Sequence, residues 1–206
     1  MISAFAASYL IGSFPTAYLL VKWLKRVDVR TVGSGNVGAT NVTRIAGLRA
    51  GIVVFLIDLS KGLIATRLIA SRLLPEPLPS LRLACGVLAV IGHAVPIWLG
   101  GRGGKGVATT IGVLLGTMPL VAGAYLAVWG VVFFCCRYVS VGSLAAALTI
   151  PLAQYATHRR GVELWLGSLL ALLIIIRHRA NIARLLQGQE HRAGVKDSAD
   201  SKDRFR

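Results

Sequence analysis

Residues 107–136 read VATTIGVLLGTMPLVAGAYLAVWGVVFFCC, an apolar stretch without one charged side chain. A membrane-crossing helix needs about 20 apolar residues. The stretch is therefore too long for one helix and too short for two full ones. Pro119 cannot continue a hydrogen-bonded helix, so it divides the stretch into a short segment, 107–118, and a full one, 119–136. Outward from this pair lie further apolar runs at 2–21, 51–74, 83–99, 139–157 and 162–176. The sequence predicts an all-α, polytopic integral membrane helix bundle of about seven transmembrane helices. It forms one domain over 1–190, followed by a charged, disordered tail over 191–206.

Composition points the same way. The 206 residues are 55% hydrophobic and 15% charged, whereas soluble domains carry about 25% charged residues. A net charge of +15 would suggest nucleic acid in a soluble chain, but here the basic residues sit in short segments between apolar runs. That pattern fits anionic lipids and anionic substrates, with no nucleic-acid partner. The chain is apolar from Ile2 without a basic leader, so no cleaved signal peptide is expected. An odd number of spans puts the termini on opposite sides. With the N-terminus outside, the inner segments hold Lys22, Lys25, Arg26, Arg30, Arg44, Arg49, Arg102, Lys105, Arg137 and every basic residue from Arg177 onward. The outer ones keep Arg72, Arg82, Arg159 and Arg160. Cytoplasmic loops are enriched in Lys and Arg, so N-out, C-in is the expected orientation.

Acidic residues are scarce. Only Asp58 falls inside an apolar run, and Asp197, Asp200 and Asp203 lie in the tail. Paired carboxylates or a carboxylate cage for Mg²⁺ are not expected. Cys85, Cys135 and Cys136 show no metal-ligand spacing and read as helix-packing residues. Asp58 and Lys61, three apart on one helix face, read as a structural ion pair.

The polar, glycine-rich segments all fall on the predicted inner side: 33-GSGNVGATN-41, 100-GGRGGKG-106, 137-RYVSVGS-143 and 177-RHRANIARLLQGQE-190. The first suggests an anion nest, in which glycines let successive N–H groups turn toward one phosphate, helped by Ser34, Thr40 and Asn41. Arg44 adds a bidentate contact. The same residues match GxGxxG, but a dinucleotide fold needs a strand, a helix and a second strand, and Asp58 sits in a membrane-like run. Lys105 fails the Walker A spacing because Leu99 and Gly106 occupy the required positions. As a mobile point charge among glycines, it still reaches a phosphate. His93 and His178 are the acid/base candidates. His178 is the better placed, with Arg179 and Asn181 beside it, and His93 reads as a structural hydrogen-bonder.

These segments, with 12-GSFPTAYLLVKWL-24, 27-VDVRTVGSGNVGATNVTRIAG-47, 58-DLSKG-62 and 92-GHAVPIWLGGRGGKGVATTIGVLL-115, resemble the bacterial acyl-phosphate:glycerol-3-phosphate acyltransferase family, in collinear order up to Glu190. The resemblance implies a multi-pass enzyme of the bacterial inner membrane, with seven spans and a cytoplasmic active site. It implies transfer of an acyl chain from acyl phosphate to the 1-hydroxyl of glycerol 3-phosphate, giving lysophosphatidic acid and phosphate for phospholipid synthesis. Carried over by motif, Ser34, Arg44, Lys105, His178 and Asn181 line the glycerol-phosphate pocket. Gln189 departs from the family, which tends to have Thr there. The expected substrate-binding set is Ser34, Gly35, Asn36, Gly38, Thr40, Asn41, Arg44, Gly103, Gly104, Lys105, Ser143, His178 and Asn181. The expected partners are glycerol 3-phosphate, acyl phosphate and membrane lipids, with no metal or cofactor.

No His-x4-Asp motif is available inside: the residues five after His93, His178 and His191 are Trp98, Ala183 and Lys196. Catalysis must then rest on positioning and charge stabilisation. The competing readings are an organophosphate transporter, which needs a midplane site open to both sides, and a lipid-binding scaffold.

Overall fold

The computed structural model describes residues 1–194, and every regular element among them is helical. The order is α1 Ile2–Ser13, α2 Thr16–Lys25, α3 Ala39–Ala46, α4 Leu48–Leu63, α5 Ala70–Leu73, α6 Pro79–Ala94, α7 Val107–Thr117, α8 Pro119–Cys136, α9 Val139–Ala156, α10 Val162–Arg177 and α11 Arg179–Leu186. A π-helical turn, Ile64–Ile69, joins α4 to α5, and a 3-10 turn, Ile97–Leu99, follows α6. Among the described residues, Ile2–Lys25, Pro79–Leu99, Pro119–Cys136 and Val139–Ala156 are long and apolar enough to cross a membrane. Helix α7 is apolar but shorter.

The predicted break at Pro119 is present. Pro119 is the first residue of α8, where its missing N–H needs no intrahelical partner. The run at 2–21 is not one helix. Phe14 leaves the helix because the residue before a proline is pushed toward extended backbone. Helix α2 then restarts at Thr16 and runs on to Lys25. The freed Phe14 carbonyl accepts a hydrogen bond from Lys61 Nζ at 2.7 Å. The run at 51–74 starts earlier, at Leu48, and α6 starts at Pro79 instead of 83.

Helix α6 is the hub, packed against α1, α7, α10 and the π-helical turn, while α8 packs on α9, α9 on α10, and α4 on both α3 and α7. Lipid tails are as apolar as leucine, so close backbone approach must supply much of the helix–helix attraction. Glycine allows it at two crossings. Gly12 lies against the Ala89 backbone and Gly92 against the Tyr9 backbone, joining α1 to α6. Gly62 lies against the Thr109 carbonyl and Gly112 against the Leu59 carbonyl, joining α4 to α7. A methyl group at any of the four would collide with backbone, which cannot swing aside.

Two apolar cores matter for the site. The larger, including Leu83, Leu114, Met118, Tyr125, Ile150, Leu170 and Ile174, holds α6 to α10 together. The smaller contains Val21, Val29, Val37, Val42 and Val54, and it pins the 26–38 loop to α2, α3 and α4. Of the tail expected at 191–206, residues 195–206 lie outside the described residues. Just before them, the Ala193 N–H donates to the Arg137 carbonyl at 2.8 Å.

Candidate active site

The first glycine-rich loop is closed by one side chain. Asn41, 1% exposed, accepts the Ser34 N–H on its Oδ1 at 2.9 Å and donates its Nδ2 to the carbonyls of Val29 and Val32, each at 3.1 Å. The turn this requires is left-handed at Gly33 and Gly35, with φ of +62° and +68°. A side chain at Gly33 would strike Asn41 Oδ1. This narrows the expected nest. The N–H groups of Ser34, Gly35 and Gly38 are bonded within the loop, to Asn41 Oδ1, the Val32 carbonyl and the Asn36 carbonyl. Asn41 therefore shapes the loop from inside, and Ser34, Gly35 and Asn36 are what the loop presents to the cleft beside it.

The second loop is held from below and from the side. The Gly103 and Gly104 N–H groups donate to the carbonyls of Ala94 and His93 at the end of α6, at 3.2 and 3.1 Å. Arg177, from the end of α10, donates Nη2 to the Gly103 carbonyl at 2.8 Å and Nε to the Gly104 carbonyl at 3.0 Å. That fork sets the turn immediately before Lys105.

The two loops and α11 enclose a cleft of about 410 Å³. Its cations are Arg30, Arg102, Lys105, Arg177, Arg179 and Arg184, and no carboxylate lines it among the described residues. Burial pushes the Lys105 ammonium down to about 8. The nearby cations Arg184, Arg44 and Arg177 add to that, against the opposing pull of Glu190. Burial, reinforced by Lys105, pushes His178 down to about 4, so the ring is neutral near pH 7. His178 Nδ1 lies 2.8 Å from the Ile174 carbonyl. A carbonyl only accepts, so the neutral ring carries its proton on Nδ1 and a lone pair on Nε2.

Glu190 ties α11 to the rest. It accepts from Ser140 Oγ at 2.9 Å, Asn181 Nδ2 at 2.6 Å and Arg184 Nε at 2.8 Å. Burial alone would raise its carboxyl, but these three bonds hold it below the usual carboxylate range. Asn181 is left with a buried carbonyl oxygen, Oδ1, that has no partner among the described residues.

The expected residues divide accordingly. Ser34, Gly35, Asn36, Gly103, Lys105 and Asn181 line the cleft. Gly104 is buried beneath it against His93, and His178 is buried close to Lys105. Arg44 is near enough to Lys105 to lower its affinity for protons, and Thr40 is exposed on α3; neither lines the cleft. Ser143 is not in the wall either. Its hydroxyl donates to the Val139 carbonyl at 2.8 Å and accepts from the Trp129 indole at 3.3 Å, so it joins α8 to α9. From the same turn Ser140 reaches Glu190 instead. Sequence reasoning missed Glu190 and, among the cations of the cleft, Arg30, Arg102, Arg177 and Arg184. An acid so close to a cluster of arginines was the available signal for Glu190. Asp58 and Lys61 form the expected pair, at 2.6 Å.

The family described as Glycerol-3-phosphate acyltransferase matches residues 2–188. A glycerol-3-phosphate acyltransferase of Myxococcus xanthus is 48% identical over 184 residues, covering 89% of this chain and 95% of the relative. One of Synechococcus elongatus is 40% identical over 198 residues, covering 94% of each chain. The crystal structure of PlsY, an integral membrane glycerol 3-phosphate acyltransferase, in its glycerol 3-phosphate form is similar with a TM-score of 0.86. It is 41% identical, with 94% of this chain and 95% of that one covered. The lysophosphatidic acid form of PlsY matches with a TM-score of 0.82 and 38% identity, covering 93% and 94%. The chain belongs to the glycerol-3-phosphate acyltransferase family, whose solved relative is an integral membrane enzyme.

Proposed function

We propose that this chain transfers an acyl group from acyl phosphate to the 1-hydroxyl of glycerol 3-phosphate, giving lysophosphatidic acid and inorganic phosphate. The carrying observation is a cleft walled by six cations with no carboxylate among its described residues. Such a wall suits two phosphates held close together, one on the acceptor and one on the donor. The relative solved in a glycerol 3-phosphate form supports the acceptor, and the one in a lysophosphatidic acid form supports the product.

The hydroxyl oxygen attacks the acyl carbonyl carbon. The new ester C–O bond forms, the C–O bond to the donor phosphate breaks, and phosphate leaves into the cationic cleft. The hydroxyl proton needs an acceptor. His178, pushed down to about 4, is a weak one. A phosphate monoester, with a second pKa near 6 in solution, is the better one. The acceptor's own phosphate takes the proton and passes it to the departing phosphate, which leaves as HPO4²⁻. His178 Nε2 and Asn181 Oδ1 serve to orient hydroxyls by accepting hydrogen bonds. Lys105 and its arginine neighbours stabilise the charge of the departing phosphate.

In the membrane, seven crossings run N-out, C-in in a bacterial inner membrane, with the cleft at the cytoplasmic face. The Lys and Arg distribution supports this orientation. Cysteines placed at Asn36 and Arg102 are expected to label only from the inside, and those at Glu76 and Arg160 only from the outside. Outside labelling at Arg102 contradicts the orientation.

The direct test of function is release of inorganic phosphate by purified protein given palmitoyl phosphate and glycerol 3-phosphate. Release dependent on both substrates is expected, with acyl-CoA and acyl-carrier protein poor donors. Robust turnover with acyl-CoA and none with acyl phosphate contradicts the proposal.

A further inference from the structure

Beneath the two loops lies a second group of polar side chains that the reaction does not use. Asp58 and Lys61 of α4 and His93 of α6 are 2%, 3% and 8% exposed. Lys61 Nζ lies 2.6 Å from Asp58 Oδ1, and His93 Nδ1 lies 3.7 Å from the same oxygen. The lysine also donates to the Phe14 carbonyl, freed by the break before Pro15.

The far side of the His93 ring lies against the second glycine loop. A Cβ placed on Gly104 would strike His93 Nε2 and, next, the Val37 carbonyl. The His93 carbonyl meanwhile accepts the Gly104 N–H at 3.1 Å. Val37 belongs to the first glycine loop and Gly104 to the second, so the two loops meet at Gly104, with the ring beside it. A small cavity of about 10 Å³ lies at the same junction, lined by Phe14, Pro15, Val37, Asp58, Lys61 and His93, among others.

A buried ion pair is a poor device for stability alone, because desolvating two charges offsets most of their attraction. Its use here is directional. We propose that Asp58, Lys61 and His93 are positioning residues for the proposed reaction: they fix the relative placement of the two phosphate-binding loops and hence of Lys105. Asp58 orients the imidazole, the imidazole seats Gly104 against Val37, and Lys61 locks the break between α1 and α2 to the same carboxylate. The inference rests on the proposed use of the cleft as a phosphate site.

Removing one charge alone strands the other, so the test uses the double variant Asp58→Asn/Lys61→Met, which removes both at similar volume. Replacing both members of a buried pair is often neutral for stability, so this variant is expected to melt within about 3 °C of the wild type. If the pair only holds the fold, KM for glycerol 3-phosphate and kcat stay native, and the proposal is overturned. If it positions the loops, KM rises at least about tenfold in a folded protein. His93→Asn is measured in parallel. It keeps an amide near the Nδ1 position, facing Asp58, and removes the atoms seated against Gly104. The same rise in KM is expected for it, and a native KM overturns the proposal whether or not the double variant folds.

A second readout needs no turnover. The rate of Lys105 modification by an amine reagent at pH 8, with Lys25 as internal control, is expected to change by at least about threefold in both variants. An unchanged rate contradicts the positioning role. A wild type that turns over no acyl phosphate would overturn the functional proposal while leaving this readout able to decide the positioning one.

Discussion

Two polar clusters sit a few residues apart in this molecule, and they are built in opposite ways. The Asp58–Lys61–His93 group is buried and internally compensated, with the carboxylate paired to the lysine, the imidazole 3.7 Å from the same oxygen, and the lysine also donating to a carbonyl. The cleft above it is open and positively charged. Arg30 is paired with Asp28 at 2.7 Å, Arg184 with Glu190 at 2.8 Å, and Arg177 bonds to loop carbonyls. The side chains of Arg102, Lys105 and Arg179 make no hydrogen bond or ion pair among the described residues, and no carboxylate faces them from the wall. The difference separates structure from function. Compensated charge holds backbone in place, while uncompensated charge gathered around a cavity is arranged for an anion that arrives later.

The largest test of that contrast is removal of Lys105. Losing a charge-assisted hydrogen bond costs about 1.5–3 kcal/mol, or roughly tenfold to more than a hundredfold in rate. Lys105→Ala is expected near the upper end in kcat/KM, because the residue lines the cleft. Arg44→Ala, just outside the wall, is expected near the lower end, at about tenfold. Arg160→Ala, stacked on the Tyr155 ring at the opposite end of α10 from Arg177, is expected to leave kcat/KM native. Equal losses for Arg160 and Lys105 in folded protein would dissolve the contrast.

The next effect is on stability. Glu190 accepts three hydrogen bonds that clamp α11 over the site. Glu190→Ala strands Arg184 and Asn181 and is expected to cost about 3 kcal/mol, read as a lower melting temperature. Melting at the wild-type temperature would place Glu190 on the functional side of the comparison.

Much of this arrangement was legible in the sequence, and the limits have physical causes. The break at Pro119 and the gathering of the glycine-rich loops could be read because proline geometry and charge asymmetry are local properties. The break at Pro15 is equally local, but Ser13 and Thr16 beside it carry no charge, so by hydropathy the run still reads as one span. Asn41 was read as a ligand because its residue type suits one. Its actual task, closing a loop onto carbonyls 9 and 12 residues back, depends on a turn that composition does not encode. Ser140 and Ser143 lie three apart on α9, and only the packing of α8 and α11 decides which of them meets Glu190.

The smallest expected effect comes from acidity, and it leads to the most direct measurement. Burial holds the Lys105 ammonium down to about 8. It is charged below that pH and loses its charge as pH rises through it, so KM for glycerol 3-phosphate is expected to climb a few-fold above pH 8. A bound phosphate dianion favours the charged lysine and must raise its pKa, with uptake of a proton. Lys105 is therefore titrated by the pH dependence of its modification with an amine reagent, without and with saturating glycerol 3-phosphate. A midpoint near 8 that moves upward by about one pH unit or more when the substrate is added is the predicted result. A midpoint that the substrate leaves unchanged would contradict the account, because the anion would then bind elsewhere.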